Sequence, residues 1–180
     1  MKDKVDDNYI AALIISDPAK GFRLLVEKYS SRLYWHIRRL VVIHEDADDA
    51  LQNTFIKCWK SLEGFRKESA LYTWLYAIAT NEALMLIRKR NQLAETPIDD
   101  MAAILSNSSE GNTYFDGDEA ETILQNAIQK LPEKQRTVFL LKYYDELTYE
   151  EIGEITGTSV GALKASYFHA VKKIEKIVTA

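Results

Sequence analysis

Three stretches of this 180-residue chain carry side chains that could do chemistry. The first is the acid run Glu45-Asp46-Ala47-Asp48-Asp49. Neighbouring aspartates can hold magnesium against a diphosphate, but such a site needs substrate phosphates and usually a facing acidic cluster. No second cluster appears at helical spacing. Two other readings stay open for these acids: the start of a helix, where the dipole favours negative charge, or a polar docking surface. The second stretch interleaves aromatic and basic residues: Phe65, Arg66, Lys67, Tyr72, Trp74 and Tyr76. Rings beside cations suit single-stranded nucleic acid, because every base offers a π face for stacking. The alternative is that most of these rings are core. Trp74 is expected inside, with Tyr72 and the loop before it toward solvent. The third stretch follows a short glycine turn and presents Lys164, Ala165, Phe168, His169, Lys172 and Lys173 along one helical segment.

Other chemistries find little support. His36, His44 and His169 lack metal-ligand spacing, and Cys58, the sole cysteine, permits no intrachain disulfide. It falls on an apolar helix face and reads as a small core residue. There is no phosphate loop, nucleophile motif or catalytic pair, so the expectation is a non-enzyme without cofactor or metal. The apolar runs at 11–15 and 72–79 are too short to span a bilayer. The N-terminus MKDKVDDNYI lacks a secretory signal, which points to the cytoplasm.

A net charge of −4 argues against DNA only until its distribution is read. Eight acids and no Lys or Arg lie between Asn91 and Glu121; setting them aside from the 27 leaves 19 acids against 23 bases. Nucleic-acid affinity follows local basic patches rather than the sum.

The elements that must position these residues are helices. Apolar residues recur at Phe22, Leu25, Val26, Tyr29, Leu33, Ile37 and Leu40, the three-and-four spacing of a buried helix face. They recur again at Ala47, Ala50, Leu51, Thr54, Phe55, Cys58, Trp59 and Leu62, until Gly64 breaks the pattern. Shorter and longer helices are expected over 9–15 and 71–90, the latter ending in Arg88-Lys89-Arg90. Periodicity fails in the acidic, Ser/Gly/Asn-rich stretch 92–118, which reads as a linker. Within it, 101–105 is a short amphipathic piece that could dock. Beyond it, an amphipathic helix spans 119–130, and Pro132 suits the first turn of the next, reaching about Tyr143. Thr148 and Glu151 form a capping-box pair, Gly157 interrupts, and Ser159 caps a last helix to about Val178. Two helices around a short glycine-containing turn are the helix-turn-helix signature, whose second helix enters the major groove. A helical hairpin with a solvated basic face is the plainer reading of the same spacing. The fold class expected is all-α: two small, separately folded helical domains, 1–91 and 119–180, joined by a flexible linker.

Taken together, these segments resemble the extracytoplasmic-function (ECF) group of bacterial sigma factors. Residues Asp46-Ala47-Asp48-Asp49-Ala50-Leu51-Gln52-Asn53-Thr54-Phe55, then Lys57-Cys58-Trp59-Lys60, Phe65-Arg66, Thr73-Trp74-Leu75-Tyr76-Ala77-Ile78-Ala79 and Asn81 resemble the family's second region. Leu131-Pro132-Glu133-Lys134-Gln135-Arg136 and Ser159-Val160-Gly161-Ala162-Leu163-Lys164 resemble the fourth. The resemblance implies that Asp46, Asp49, Gln52, Asn53 and Phe55 dock on the clamp helices of the largest subunit of core RNA polymerase. It also implies that the loop 64–71, with Arg66, Lys67 and Ser69, captures a flipped base of the minus-10 promoter element beside Tyr72. Asn81 contacts that element, and Arg88, Lys89 and Arg90 hold nearby phosphates. Ser159, Lys164, Ala165, Phe168, His169 and Lys172 take the minus-35 contacts, and the linker threads the polymerase near its active-site channel. An anti-sigma factor is a partner the family admits. Many relatives carry Arg where this chain has Ser166 and His169, and often a basic residue at Tyr76; the fewer cations here should weaken phosphate anchoring. The alternatives are a helix-turn-helix regulator that recruits no polymerase and, more remotely, a magnesium enzyme using Glu45 to Asp49.

Overall fold

A computed structural model describes residues 6–65, 70–93 and 119–179. Among these residues the chain is helical with no strand. The first four helices are α1 (Asp7–Ser16), α2 (Pro18–Val41), α3 (His44–Ser61) and α4 (Leu71–Leu93), with a 3-10 turn at Leu62–Gly64. The Asp17 side chain accepts from the Lys20 backbone N–H, and Pro18 sits at the first helical position, so α2 starts sharply. Its stripe Leu25, Leu33, Ile37 and Leu40 is wholly buried. Gly21 lets α1 lie against α2, since a Cβ there would stand 2.5 Å from the Ile14 backbone nitrogen. Asp7 of α1 accepts from Tyr29 Oη at 2.6 Å and from Lys28 Nζ at 2.7 Å.

On α3, Ala47, Ala50, Thr54 and Cys58 face inward as their spacing requires. Trp59 does not follow: it is 47% exposed and lies edge-on to Phe22 at 5.1 Å. It stands at the flank of the buried face, where one side of the indole packs and the other meets water. Cys58 is fully buried, and burial pushes its thiol up to about 12.

The remaining helices are α5 (Glu119–Gln129), α6 (Glu133–Tyr143), α7 (Tyr149–Thr156) and α8 (Val160–Val178). Pro132 precedes α6 as its N-cap rather than occupying its first turn; the Pro132 carbonyl accepts from Arg136 N–H at 2.9 Å. The Thr148–Glu151 capping box is present in full, Gly157 closes α7 at φ 67°, and Ser159 accepts from Ala162 N–H to open α8. Ile152, Ile155, Leu163 and Ala170 then bury the hairpin's inner face.

The two helical halves also touch one another. Helix α4 packs on α7 and α2 packs on α6, so the apolar core runs from one half into the other. The linker, including 101–105, lies outside the described residues apart from its first two positions. No described helix is long and apolar enough to cross a membrane.

Candidate nucleic-acid and polymerase interfaces

Burial of one α3 face turns its opposite face outward. Asp49, Gln52 and Asn53 are exposed there, with Ile56 (45% exposed) one turn on. Phe55 is half-buried and meets Phe22 edge-on at 6.3 Å, so it serves packing as well as surface. Asp46 is instead tied internally, accepting from Arg90 Nη1 at 2.8 Å. It and its neighbour Glu45 lie in the first turn of α3, where the helix dipole favours them. Among the described residues no group of three His, Cys, Asp or Glu is arranged to hold a metal.

Between the end of α3 and the middle of α4 lies a cleft of about 370 Å³, lined by Lys57, Lys60, Ser61, Ile78, Asn81 and Glu82. That volume falls within the range of small-molecule sites. Glu82 is almost fully buried and accepts from Lys57 Nζ, which neutralises one of the two lysines. Lys60 has no ion-pair partner among the described residues and is exposed beside the Asn81 amide. An amide, a hydroxyl, an ammonium and one apolar wall could grip the edge and face of an unstacked base. The sequence reading found Asn81 but assigned nothing to Lys60 or Ser61. Their signal was present: a lysine and a serine one turn before Gly64, on the helix that already carried the docking residues.

Other predicted contacts divide. Arg66, Lys67 and Ser69 lie outside the described residues. Lys89 is exposed, Arg90 is half-buried and paired with Asp46, and Arg88 gives its Nη2 to Glu133 at 2.7 Å. Tyr72 is half-buried rather than free, donating its hydroxyl to Glu151. Trp74 is also half-buried, packed on the core and against Phe65 at 5.1 Å. Tyr76 is wholly buried; burial first, and then the neighbouring Asp145, push its phenol above the ordinary range.

The second surface is simpler. Ser159, Lys164, Ala165, Phe168, His169 and Lys172 are all exposed along α8, and Phe168 is 57% open to solvent. Leu163, Ala170 and Ile174 anchor the opposite side. Lys164 Nζ lies 5.8 Å from the Tyr149 ring, while Lys172 is paired with Glu175 at 2.9 Å. A cationic, partly aromatic helix face held on a rigid capped hairpin can enter a major groove with its first turns at the base edges.

Residues 25–92 match the Sigma-70 region 2 family and residues 121–174 the Sigma-70, region 4 family. The chain is 32% identical to the ECF RNA polymerase sigma-E factor of Haemophilus influenzae, covering 97% of this chain and 96% of that protein. It is 31% identical to the RNA polymerase sigma-H factor of Pseudomonas aeruginosa, covering 98% and 95%. Two solved structures share the fold: CnrH in complex with the cytosolic domain of CnrY (TM-score 0.72, 22% identity, 98% of each chain) and the sigma factor RpoE in complex with the anti-sigma factor NepR from Bartonella quintana (TM-score 0.70, 21% identity, 89% of this chain and 98% of that one). Fold and paired region matches define a sigma-70-type transcription initiation protein. The chain belongs to the extracytoplasmic-function group of RNA polymerase sigma factors, whose work is promoter-specific transcription initiation. A regulator that binds DNA without recruiting polymerase is not favoured, because the relatives that match across nearly the whole chain are polymerase factors.

Proposed function

We propose that this chain works in the cytoplasm without catalysing any step, dividing its tasks among three segments. Residues 1–91 hold core polymerase and the minus-10 element, 119–180 read the minus-35 element, and the acidic stretch 92–118 joins them. Core binding runs through Asp49, Gln52, Asn53 and Phe55, with Asp46 placing the helix through its Arg90 pair. The observation that carries this is the exposed α3 stripe of Asp49, Gln52 and Asn53, for which no internal hydrogen-bond or ion-pair partner is found among the described residues.

The cleft beside Asn81 receives an unpaired minus-10 base. Flipping a base costs a few kcal/mol of unstacking, and Asn81, Ser61 and Lys60 offset part of that only once the strand is open. Arg88, Lys89 and the loop residues Arg66, Lys67 and Ser69 add phosphate contacts, and Tyr72 adds a ring. An anti-sigma protein is a fitting partner, since the fold neighbours CnrH and RpoE were each solved as complexes, RpoE with an anti-sigma factor. Exposed Ile56 and Trp59 on α3 offer such a partner apolar area beside the polymerase stripe.

The test is co-elution of the purified chain with core polymerase on a sizing column. Parent chain should co-elute, and correctly folded Gln52→Ala should compete for core measurably less well. Equal competition by the variant removes Gln52 from the interface; separate elution of the parent removes the polymerase-binding role altogether.

A further inference from the structure

Helix α4 buries one side and leaves the other as a mostly polar strip. Ile78, Asn81, Met85 and Lys89 follow one another at steps of three, four and four residues, so they share a face of the helix. Ile78 and Asn81 line the cleft against the end of α3. Asn81 and Lys89 are exposed, and Arg88 stands beside them with its side chain 62% open, one arm given to Glu133. Leu75, Ala79, Ala83 and Ile87 hold the opposite side in the core.

Met85 is out of character in that strip. It lies one turn beyond Asn81 and one turn before Lys89, and 52% of it meets water. A single exposed apolar residue is ordinary on a protein surface. What singles Met85 out is its surroundings: an amide on one side, cations on the other, and no acid from its own helix. Glu82 is the one acid of α4, and it is buried and paired with Lys57. A face with a basic end and its carboxylate withdrawn attracts a polyanion, which favours nucleic acid over an acidic protein as the occupant.

At the edge of a base, the C5 methyl of thymine is the group that makes an apolar contact. Methionine suits it, because its unbranched, polarisable thioether can follow a methyl over several rotamers. The neighbours do not supply that contact: Asn81 ends in hydrogen-bonding groups, Lys89 ends in an ammonium, and Ile78 is half-buried in the cleft wall. We propose that Met85 is a specificity-determining residue of the downstream surface and reads a thymine methyl. The inference rests on the reading that α4 meets the minus-10 element, and it adds a base identity to it. One helical turn rises about 5.4 Å and successive nucleotides of a strand about 3.4 Å. The thymine therefore lies one or two nucleotides from the base that Asn81 contacts.

The test uses holoenzyme carrying the full chain on a promoter fragment that it transcribes, with each minus-10 thymine replaced in turn by uracil. Uracil lacks the C5 methyl and keeps every hydrogen-bonding group, so the swap isolates the proposed contact. Loss of one buried methyl corresponds to about a fourfold fall in open-complex formation. The parent should show that fall at one position, one or two nucleotides from the base whose identity Asn81→Ala relaxes. Met85→Gln, similar in length and at an exposed site, should start from the lowered level and fall no further at that position. Met85→Leu, still apolar, should keep the sensitivity. Making the same swap on both chains cancels the effect of uracil on the duplex itself. No uracil-sensitive position in the parent, or equal sensitivity in folded Met85→Gln, overturns the proposal. So does loss of co-elution with core polymerase in Met85→Gln, which assigns the residue to polymerase instead. Asn81→Ala separates this inference from the reading beneath it. If that variant relaxes the downstream preference while Met85→Gln keeps the parent's uracil response, only the methyl contact is overturned. If neither variant alters the downstream preference, the reading of α4 as the minus-10 face is overturned with it.

Discussion

Replacing Lys164 by alanine removes a cation from the second turn of α8, where a groove-bound helix reaches base edges. The side chain is exposed, and its nearest described company is the Tyr149 ring at 5.8 Å. An exposed cation–π contact is worth roughly 0.5–1 kcal/mol, so the fold should lose no more than about that amount. A base-edge contact is worth about 1–3 kcal/mol, roughly a 5- to 150-fold change in occupancy at the base it reads. If Lys164 instead held only a phosphate, all promoters would weaken alike and the salt slope would fall by about 0.9. The assay uses holoenzyme carrying either chain on templates randomised through the upstream element, with transcripts counted by sequence. The expected result is relaxed preference at one or two upstream positions, with the downstream preference intact and the melting midpoint nearly unchanged. Identical base preferences for parent and variant would refute the argument that α8 reads bases through this residue.

Other outcomes follow from the same structure. Gly21→Ala drives a methyl into the α1 backbone, and overpacking of that kind costs about 1–3 kcal/mol; a denaturant melt should show it, and an unchanged midpoint would mean α1 lies elsewhere. Thr148→Ala breaks the capping box that starts α7 and should cost about 1 kcal/mol in the same assay. The raised Cys58 thiol, and the phenols of buried Tyr29 and Tyr76 and half-buried Tyr144, also pushed upward, bind their protons more tightly when folded. Their contribution is complete below the unfolded thiol and phenol pKa values and is lost as pH rises through the folded ones. Stability should therefore decline above about pH 9, where the unfolded groups ionise first, and a flat melting midpoint from pH 8 to 11 would contradict this. Thiol reagents at pH 8 should leave native Cys58 untouched and modify it on unfolding.

What the sequence made legible was mainly local. The Thr148–Glu151 box, the Gly157 break and the Ser159 cap each act over three or four residues, so their chemistry can be read directly from spacing. The buried stripe of α2 and the outward stripe of α3 follow from helical period for the same reason. Trp59 broke the pattern because a residue on the flank of a helix face belongs to either side until its neighbour, here Phe22, is placed. Long-range partners were invisible. His36 is bound to residues 44 and 109 positions away, and Tyr72 to one 79 positions away; no periodicity encodes those pairings. Tyr72 therefore read as a solvent-facing ring and Arg88 as a free cation, and how the two halves meet was not legible at all. The cleft was half legible: Asn81 announced itself through family spacing, while Lys60 and Ser61 join it only once α3 lies across α4.

The central claim is that this chain tells polymerase where to begin. Its most direct test is transcription of total genomic DNA by core polymerase with and without the purified chain, mapping every RNA 5′ end. Addition of the chain should create a new set of starts preceded by two shared short motifs, one for each half of the protein. A distribution of 5′ ends indistinguishable from that of core polymerase alone would contradict it.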